Sequence, residues 1–236
     1  MDRNHHRQQE WNYSIKKMFR DISRRYDLLN TLMTFGQDRL WRRRAVAATD
    51  LPSAGSLLDI GAGTGKIAIE ALRHDPKLKI TAADLTYDMM KVGREYAGDK
   101  DIMWCCSDAL HLPFHDKTFD AAASGYLVRN VPDIRKCFSE QFRVVKPGGK
   151  VVCLDTSPPQ KNMMRPFVLF HLKVIIPLLG GFISGKWDAY RYLPESTRSF
   201  KTPQELSQIM GFVGFKDITY QRYMFGTIVI IKGTRP

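Results

Sequence analysis

The chain has 236 residues, which suits one domain with additions or at most two small ones, and its 44% hydrophobic content allows a large core. Lys and Arg number 36 against 24 Asp and Glu, a net charge of +12. That sign favours anionic partners such as nucleic acid, acidic lipid or phosphate-bearing substrates, unless the basic residues are merely solvated.

The N-terminal stretch MDRNHHRQQEWNYSIKKMF has no apolar core region, so no signal peptide is expected. Phe19, Ile22, Tyr26, Leu29 and Met33 then step by three and four, one apolar stripe on a helix. Gly36 interrupts it, and DRLWRRRAVAAT resumes a helix, giving an N-terminal helical cap over 1–50. From 51 onward short apolar runs alternate with amphipathic stretches. The runs are 56–60, 78–84, 101–106, 119–124 and 150–155, with helices near 65–74, 87–97 and 131–145. This rhythm predicts βαβ units, a mostly parallel sheet and helices on both faces. KPGG (146–149) reads as a turn. Segment 156–200 is rich in Pro, Met and aromatics and reads as an insertion. A helix near 203–211 follows, then two runs able to pair as an antiparallel hairpin.

Cys105, Cys106, Cys137 and Cys153 form no CxxC, which argues against a zinc site or a disulfide framework and reads as buried thiols in a reducing compartment. The most apolar run, 166–185, contains Lys173, Pro177 and a Gly pair. A lysine at bilayer depth costs roughly 2.5–3.5 kcal/mol, so a membrane span is rejected.

The chemistry concentrates in LLDIGAGTGK. Gly61, Gly63 and Gly65 permit a sharp turn and close approach of a ligand, and the following helix offers free N–H groups. Dinucleotide sites also use such glycines. Here, however, Asp59 ends the strand, where it would repel a pyrophosphate and attract an ammonium group, and Lys66 stands where a dinucleotide fingerprint continues. Asp84 ends the second strand and can accept from both hydroxyls of a ribose. Asp108 follows the third strand, placed for an exocyclic amine, beside Ala109 and Leu110 for a ring face. A ligand cationic at one end, with a ribose in the middle and a purine at the other, is S-adenosylmethionine. Taken singly, Asp59 could only cap the next helix and Asp84 could only start one.

These pieces, with MFRDISRRYDLLNTLMTFGQDRLWRRR, DALHLPFHDKTFD, LVRNVPD, RVVKPGG and YRYLPES, resemble the ubiquinone/menaquinone biosynthesis C-methyltransferase family among class I S-adenosylmethionine-dependent methyltransferases. The resemblance covers nearly the whole chain. It implies an α/β fold with a seven-stranded Rossmann-like sheet, an antiparallel C-terminal hairpin, a methyltransferase domain over 51–236, and segment 156–200 as an acceptor lid. It assigns cofactor contacts to Thr64, Asp84 with Leu85, and Asp108 with Ala109, and suggests Ser124 or Gly125 on strand four. Lys66 where the family often has an acid, Gly125 where some members have Ser, and LDTSPP in place of Leu-Glu-Phe-Ser-x-Pro are departures.

The implied acceptor is a prenylated quinol methylated at carbon. A ring carbon becomes nucleophilic once a neighbouring phenol loses its proton, so the site should stabilise a phenolate. Arg129 is expected to do this and Asn130 to orient the ring oxygen; the alternative is an Arg129–Asp133 surface pair. Tyr26, next to Asp27, is placed near the acceptor or in the core. Tyr190, Arg191, Tyr192 and Phe170 are candidates for the acceptor pocket, and His111 and His115 read as exposed loop histidines. The greasy run 163–185 suggests a lid over the prenyl tail that touches an anionic membrane surface, or an ordinary core helix. The expected setting is cytoplasmic, peripheral at the inner face of the plasma membrane, without metal, and compatible with a homodimer. A nucleic-acid methyltransferase lacks its Asn/Asp-Pro-Pro-aromatic motif here. A sterol or phenolic acceptor and a non-catalytic binding protein remain as rivals.

Overall fold

The computed structural model describes residues 3–184, 196–197 and 200–236. Seven strands form one sheet: β1 (Ser56–Ile60), β2 (Lys79–Asp84), β3 (Ile102–Cys106), β4 (Phe119–Gly125), β5 (Val145–Thr156), β6 (Lys216–Tyr223) and β7 (Ile228–Thr234). Their order is β3-β2-β1-β4-β5-β7-β6. The first five are parallel, whereas β7 runs antiparallel to both β5 and β6. The predicted C-terminal hairpin is thus present, with β7 in its interior position.

The parallel strands read as continuous apolar runs because both faces are covered. On β1, Leu57 packs with the helix α3 (Lys66–His74), while Leu58 and Ile60 pack with α5 (Ile134–Val144) on the opposite face. Each such fully buried side chain stabilises by roughly 1.5–3 kcal/mol. The helix α4 (Tyr87–Ala97) links β2 to β3. The KPGG turn forms as an irregularity within β5: Phe119 is paired with Val145, but Ala121 is already paired with Lys150.

At the N-terminus α1 (Arg3–Met33) carries the predicted stripe, with Ile22, Leu29 and Met33 buried. Gly36 stops it, at a φ of +75°, and α2 (Gln37–Ala48) follows. Trp41 and Ala45 of α2 pack on Val152, Leu154, Ile228 and Ile230, so α2 shares the core of the sheet. The segment after β5 is helical: α6 (Arg165–Phe170) passes through a π turn, His171–Ile175, into α7 (Ile176–Ser184). Val168, Leu172 and Ile176 bury themselves against Ile22, Leu29 and Met33 of α1. The last helix, α8 (Pro203–Val213), opens with a capping box in which Thr202 and Glu205 satisfy each other's backbone N–H.

The cysteine expectation is corrected in part. All four thiols are free, and Cys137 and Cys153 are buried, but Cys105 is half-buried and Cys106 exposed, because β3 is an edge strand. Among the described residues no helix is long and apolar enough to cross a membrane, and no cluster could hold a metal ion.

Candidate active site

A cleft opens at the carboxyl ends of β1, β2 and β4, where the strand order reverses between β1 and β4. The glycine loop builds its floor. Gly61 and Gly65 have φ of +64° and +71°. A Cβ on Gly61 would lie 2.7 Å from Leu127 Cδ1, and one on Gly65 only 2.6 Å from Trp104 Cη2.

Three acids face this loop in the expected order. Asp59 is 1% exposed, and its Oδ2 accepts from the Ala68 N–H at 3.0 Å, so it does cap α3. Its other oxygen, Oδ1, is buried without a hydrogen-bond partner among the described residues. Burial pushes the carboxyl up to about 7, aided by the Asp84 charge and opposed by the Ala68 bond and by Arg42. Asp84 accepts from the N–H groups of Gly63 and Thr86, both at 2.7 Å, while burial raises its carboxyl against those bonds. Asp108 accepts from the Leu110 N–H at 2.9 Å and lines the cleft with Leu85 and Ala109. Two adjacent carboxylates, one with an unpartnered oxygen, make the inner end a receptor for a cation.

Asp27 of α1 clasps the glycine loop. It accepts the Thr64 hydroxyl at 3.0 Å and pairs with Lys66 at 3.4 Å. Lys66 Nζ also lies 4.2 Å from the centroid of the Tyr96 ring. The departure at Lys66 therefore has a partner 39 positions earlier, and the Thr64 hydroxyl spends its hydrogen bond on Asp27. Ser124 is corrected: it is fully buried in β4 and does not line the cleft. Its neighbour Gly125 does line it, and a Cβ there would come 2.9 Å from Ile67 Cδ1.

A second cavity of about 250 Å³ lies between α1, α6 with its π turn, and the β6–β7 connection. Its walls are apolar: Met33, Phe35, Met164, Phe167, Val168, Leu172, Ile176, Met224, Phe225 and Ile228. Its main charge is Arg129. The Arg129 side chain is 4% exposed and pairs across 3.7 Å with the fully buried Asp155. The expected alternative partner is wrong: Asp133 accepts from the Lys136 N–H at 2.9 Å and caps α5. Arg129 Nε and Nη1 are buried and make no hydrogen bond among the described residues.

Tyr26 lines the cofactor cleft rather than this cavity, and it packs edge-on to Phe19 at 5.7 Å beside the apolar cluster of α1, which favours the core reading over a place against the acceptor. Asn130 lies on the cofactor side too, donating from Nδ2 to the Tyr126 carbonyl at 2.8 Å. Phe170 is corrected: it is 58% exposed, and its neighbours Phe167 and His171 line the cavity instead. Tyr190, Arg191 and Tyr192 lie outside the described residues. His111 and His115 are exposed, as expected.

The sequence profile of the ubiE/COQ5 methyltransferase family matches residues 5–235. The chain belongs to that family. It is 43% identical over 221 residues to the ubiquinone/menaquinone biosynthesis C-methyltransferase UbiE of Desulfotalea psychrophila, covering 94% of this chain and 90% of that one. It is 38% identical to the demethylmenaquinone methyltransferase of Thermus thermophilus, covering 93% of this chain and all of its relative. Solved structures share the fold at lower identity. One is a possible histamine N-methyltransferase from Thermotoga maritima, with TM-score 0.65, 19% identity, and coverage of 93% and 100%. Another is Haemonchus contortus phosphoethanolamine N-methyltransferase 2 in complex with S-adenosyl-L-methionine, with TM-score 0.59, 18% identity, and coverage of 79% and 50%.

The family's cofactor, S-adenosylmethionine, suits these residues. The orphaned Asp59 Oδ1 is an acceptor awaiting an ammonium donor, Asp84 keeps lone pairs for a ribose, and Asp108 with Ala109 stands at the far end.

Three functional residues escaped the sequence reading. Arg42 is buried beside its i,i+4 partner Asp38 and lines the cleft, Asp155 neutralises Arg129, and Tyr126 joins the two cavities. Asp155 carried a signal, an acid closing an apolar strand as Asp59 and Asp84 do.

Proposed function

We propose that this methyltransferase carries out C-methylation of a prenylated quinol in menaquinone or ubiquinone biosynthesis. The observation that carries this reading is the second cavity, an apolar chamber beside the cofactor cleft whose main charge is a guanidinium with unspent donors. Such a chamber suits a greasy tail and a ring oxygen that becomes anionic.

The Arg129 guanidinium, a cation with donors in a fixed fork, holds the ring oxygen as phenolate. Asp155 fixes the guanidinium through its ion pair and by accepting the Arg129 backbone N–H at 3.2 Å. Asn130, by holding the Tyr126 carbonyl, fixes the turn that presents both residues. When bound, S-adenosylmethionine supplies an electrophilic methyl group. A methyl so supplied would be taken up by the ring carbon beside the oxygen that Arg129 holds as phenolate, because that charge makes the carbon nucleophilic.

The rim of the cavity supports contact with an anionic membrane surface. Phe35, Met163, Phe167, Phe170 and Phe225 are exposed there, and Lys161, just before α6, with Arg165 and Lys173 of the helical segment, is exposed beside them. A tail could then pass from lipid into the chamber without crossing water.

The test is a methyl-transfer assay with a short-tailed demethylmenaquinol, kept reduced, and its ubiquinol counterpart. The wild type yields a singly C-methylated ring. Arg129→Ala lowers turnover about 10²-fold or more. It also leaves Asp155 uncompensated, costing about 3–5 kcal/mol of stability, so Arg129→Lys serves as the charge-preserving control. No methylation of either quinol, with cofactor binding intact, would refute the acceptor assignment.

A further inference from the structure

Tyr126 lines both the cofactor cleft and the acceptor cavity, and is the one described residue to do so. It stands where a methyl group must pass from donor to acceptor. Its backbone has a φ of +58°, a conformation costly for a bulky aromatic residue. The strain is held by two bonds: the Tyr126 N–H donates to the Leu154 carbonyl at 2.7 Å, and its carbonyl accepts from Asn130. The guanidinium carbon of Arg129 lies 5.3 Å from the ring centroid.

The phenolic oxygen is buried and has no hydrogen-bond partner among the described residues. A buried unsatisfied hydroxyl is costly, and phenylalanine would give the same packing without it. Burial drives the hydroxyl's ionisation upward, against the charges of Arg42 and Arg129, so it remains a proton donor at neutral pH.

We infer that the Tyr126 hydroxyl is a substrate-contacting donor, hydrogen-bonding to the acceptor oxygen that Arg129 holds as phenolate. This rests on the acceptor reading given above. Two donors of different kinds then converge on one oxygen: a fixed cation, and a neutral hydroxyl set at the partition between the cavities. The strained backbone aims the second, and the arriving oxygen satisfies both.

The variant is Tyr126→Phe, which keeps the ring and its stacking on Arg129. Its thermal midpoint should equal or exceed that of the wild type, because an unsatisfied group is removed. Its kcat should fall about 10²-fold with KM for S-adenosylmethionine unchanged. The acidic limb of its kcat–pH profile should move to higher pH, since a less stabilised phenolate ionises later. A measurement independent of turnover uses 1-naphthol bound in the presence of S-adenosylhomocysteine and titrated by absorbance. The bound naphthol should ionise at lower pH in the wild type than in Y126F, by about one unit or more. Equal naphthol titrations in the two proteins would overturn the inference, whatever the turnover. A wild type that shifts naphthol but methylates no quinol would refute the acceptor reading and leave the role of Tyr126 standing.

Discussion

Asp59→Asn should make the protein more stable and nearly useless for binding its cofactor. The carboxyl is fully buried, with one oxygen spent on the Ala68 N–H and the other unpartnered. Its rise from 3.8 to about 7 corresponds, at about 1.4 kcal/mol per unit, to a penalty of at most ~4 kcal/mol on the ionised folded state. Between those two values the folded carboxyl holds a proton that the unfolded chain has lost. Stability therefore falls as pH rises through that window, and the full penalty stands above it. An asparagine can accept from Ala68 and carries no charge to desolvate. At pH 8 the variant should gain about 2–4 kcal/mol in urea unfolding, shrinking towards zero near pH 4. Calorimetric titration at pH 8 should show S-adenosylmethionine affinity reduced about 30-fold or more, the loss expected when a buried charge pair goes. For the wild type, affinity should rise with pH through about 7 as Asp59 ionises. A variant no more stable than the wild type at pH 8, or a gain independent of pH, would refute the electrostatic account of the cleft.

Two further outcomes are expected. Gly65→Ala combines a left-handed φ with a Cβ 2.6 Å from the Trp104 ring, and should lower stability by about 2 kcal/mol or more in denaturant unfolding. Gly65→Ala with Trp104→Leu, which frees the space, should recover part of the loss. Replacing Met163 and Phe170, which are exposed outside the cavity lining, by serine should weaken flotation with anionic liposomes at low salt while leaving methylation of a detergent-dispersed, short-tailed quinol near normal. Equal flotation of the two proteins would refute the membrane role of the rim.

The strands were legible because a parallel sheet buries both faces, so 56–60, with Leu57, Leu58 and Ile60, reads as a short apolar run and forms β1 over the same residues. The three acids were legible because each lies at or just past the carboxyl end of such a run. Arg42, and the pairing of Asp155 with Arg129, were not, because an ion pair's meaning depends on which elements the fold brings together. Lys66 looked like an anomaly until Asp27 appeared across from it. The placement of Phe170 failed for a reason of helical phase. Val168, Leu172 and Ile176 are buried at a spacing of four, wider than the 3.6 of an α-helix, as the π turn at His171–Ile175 allows. The composition of that run, from which Phe170 was named, carries no information about this phase.

The helix α1 serves both ligands. Tyr26 and Asp27 stand on the cofactor side, and Asn30, Met33 and Thr34 line the acceptor chamber. At ~1.5 Å of rise per residue, about 6 Å of rigid rod separates Tyr26 from Asn30. The helix thus works as a ruler, setting the gap between the two binding places by covalent pitch rather than by the settling of loops. One extra residue between them would turn everything upstream by about 100° and spoil the measurement.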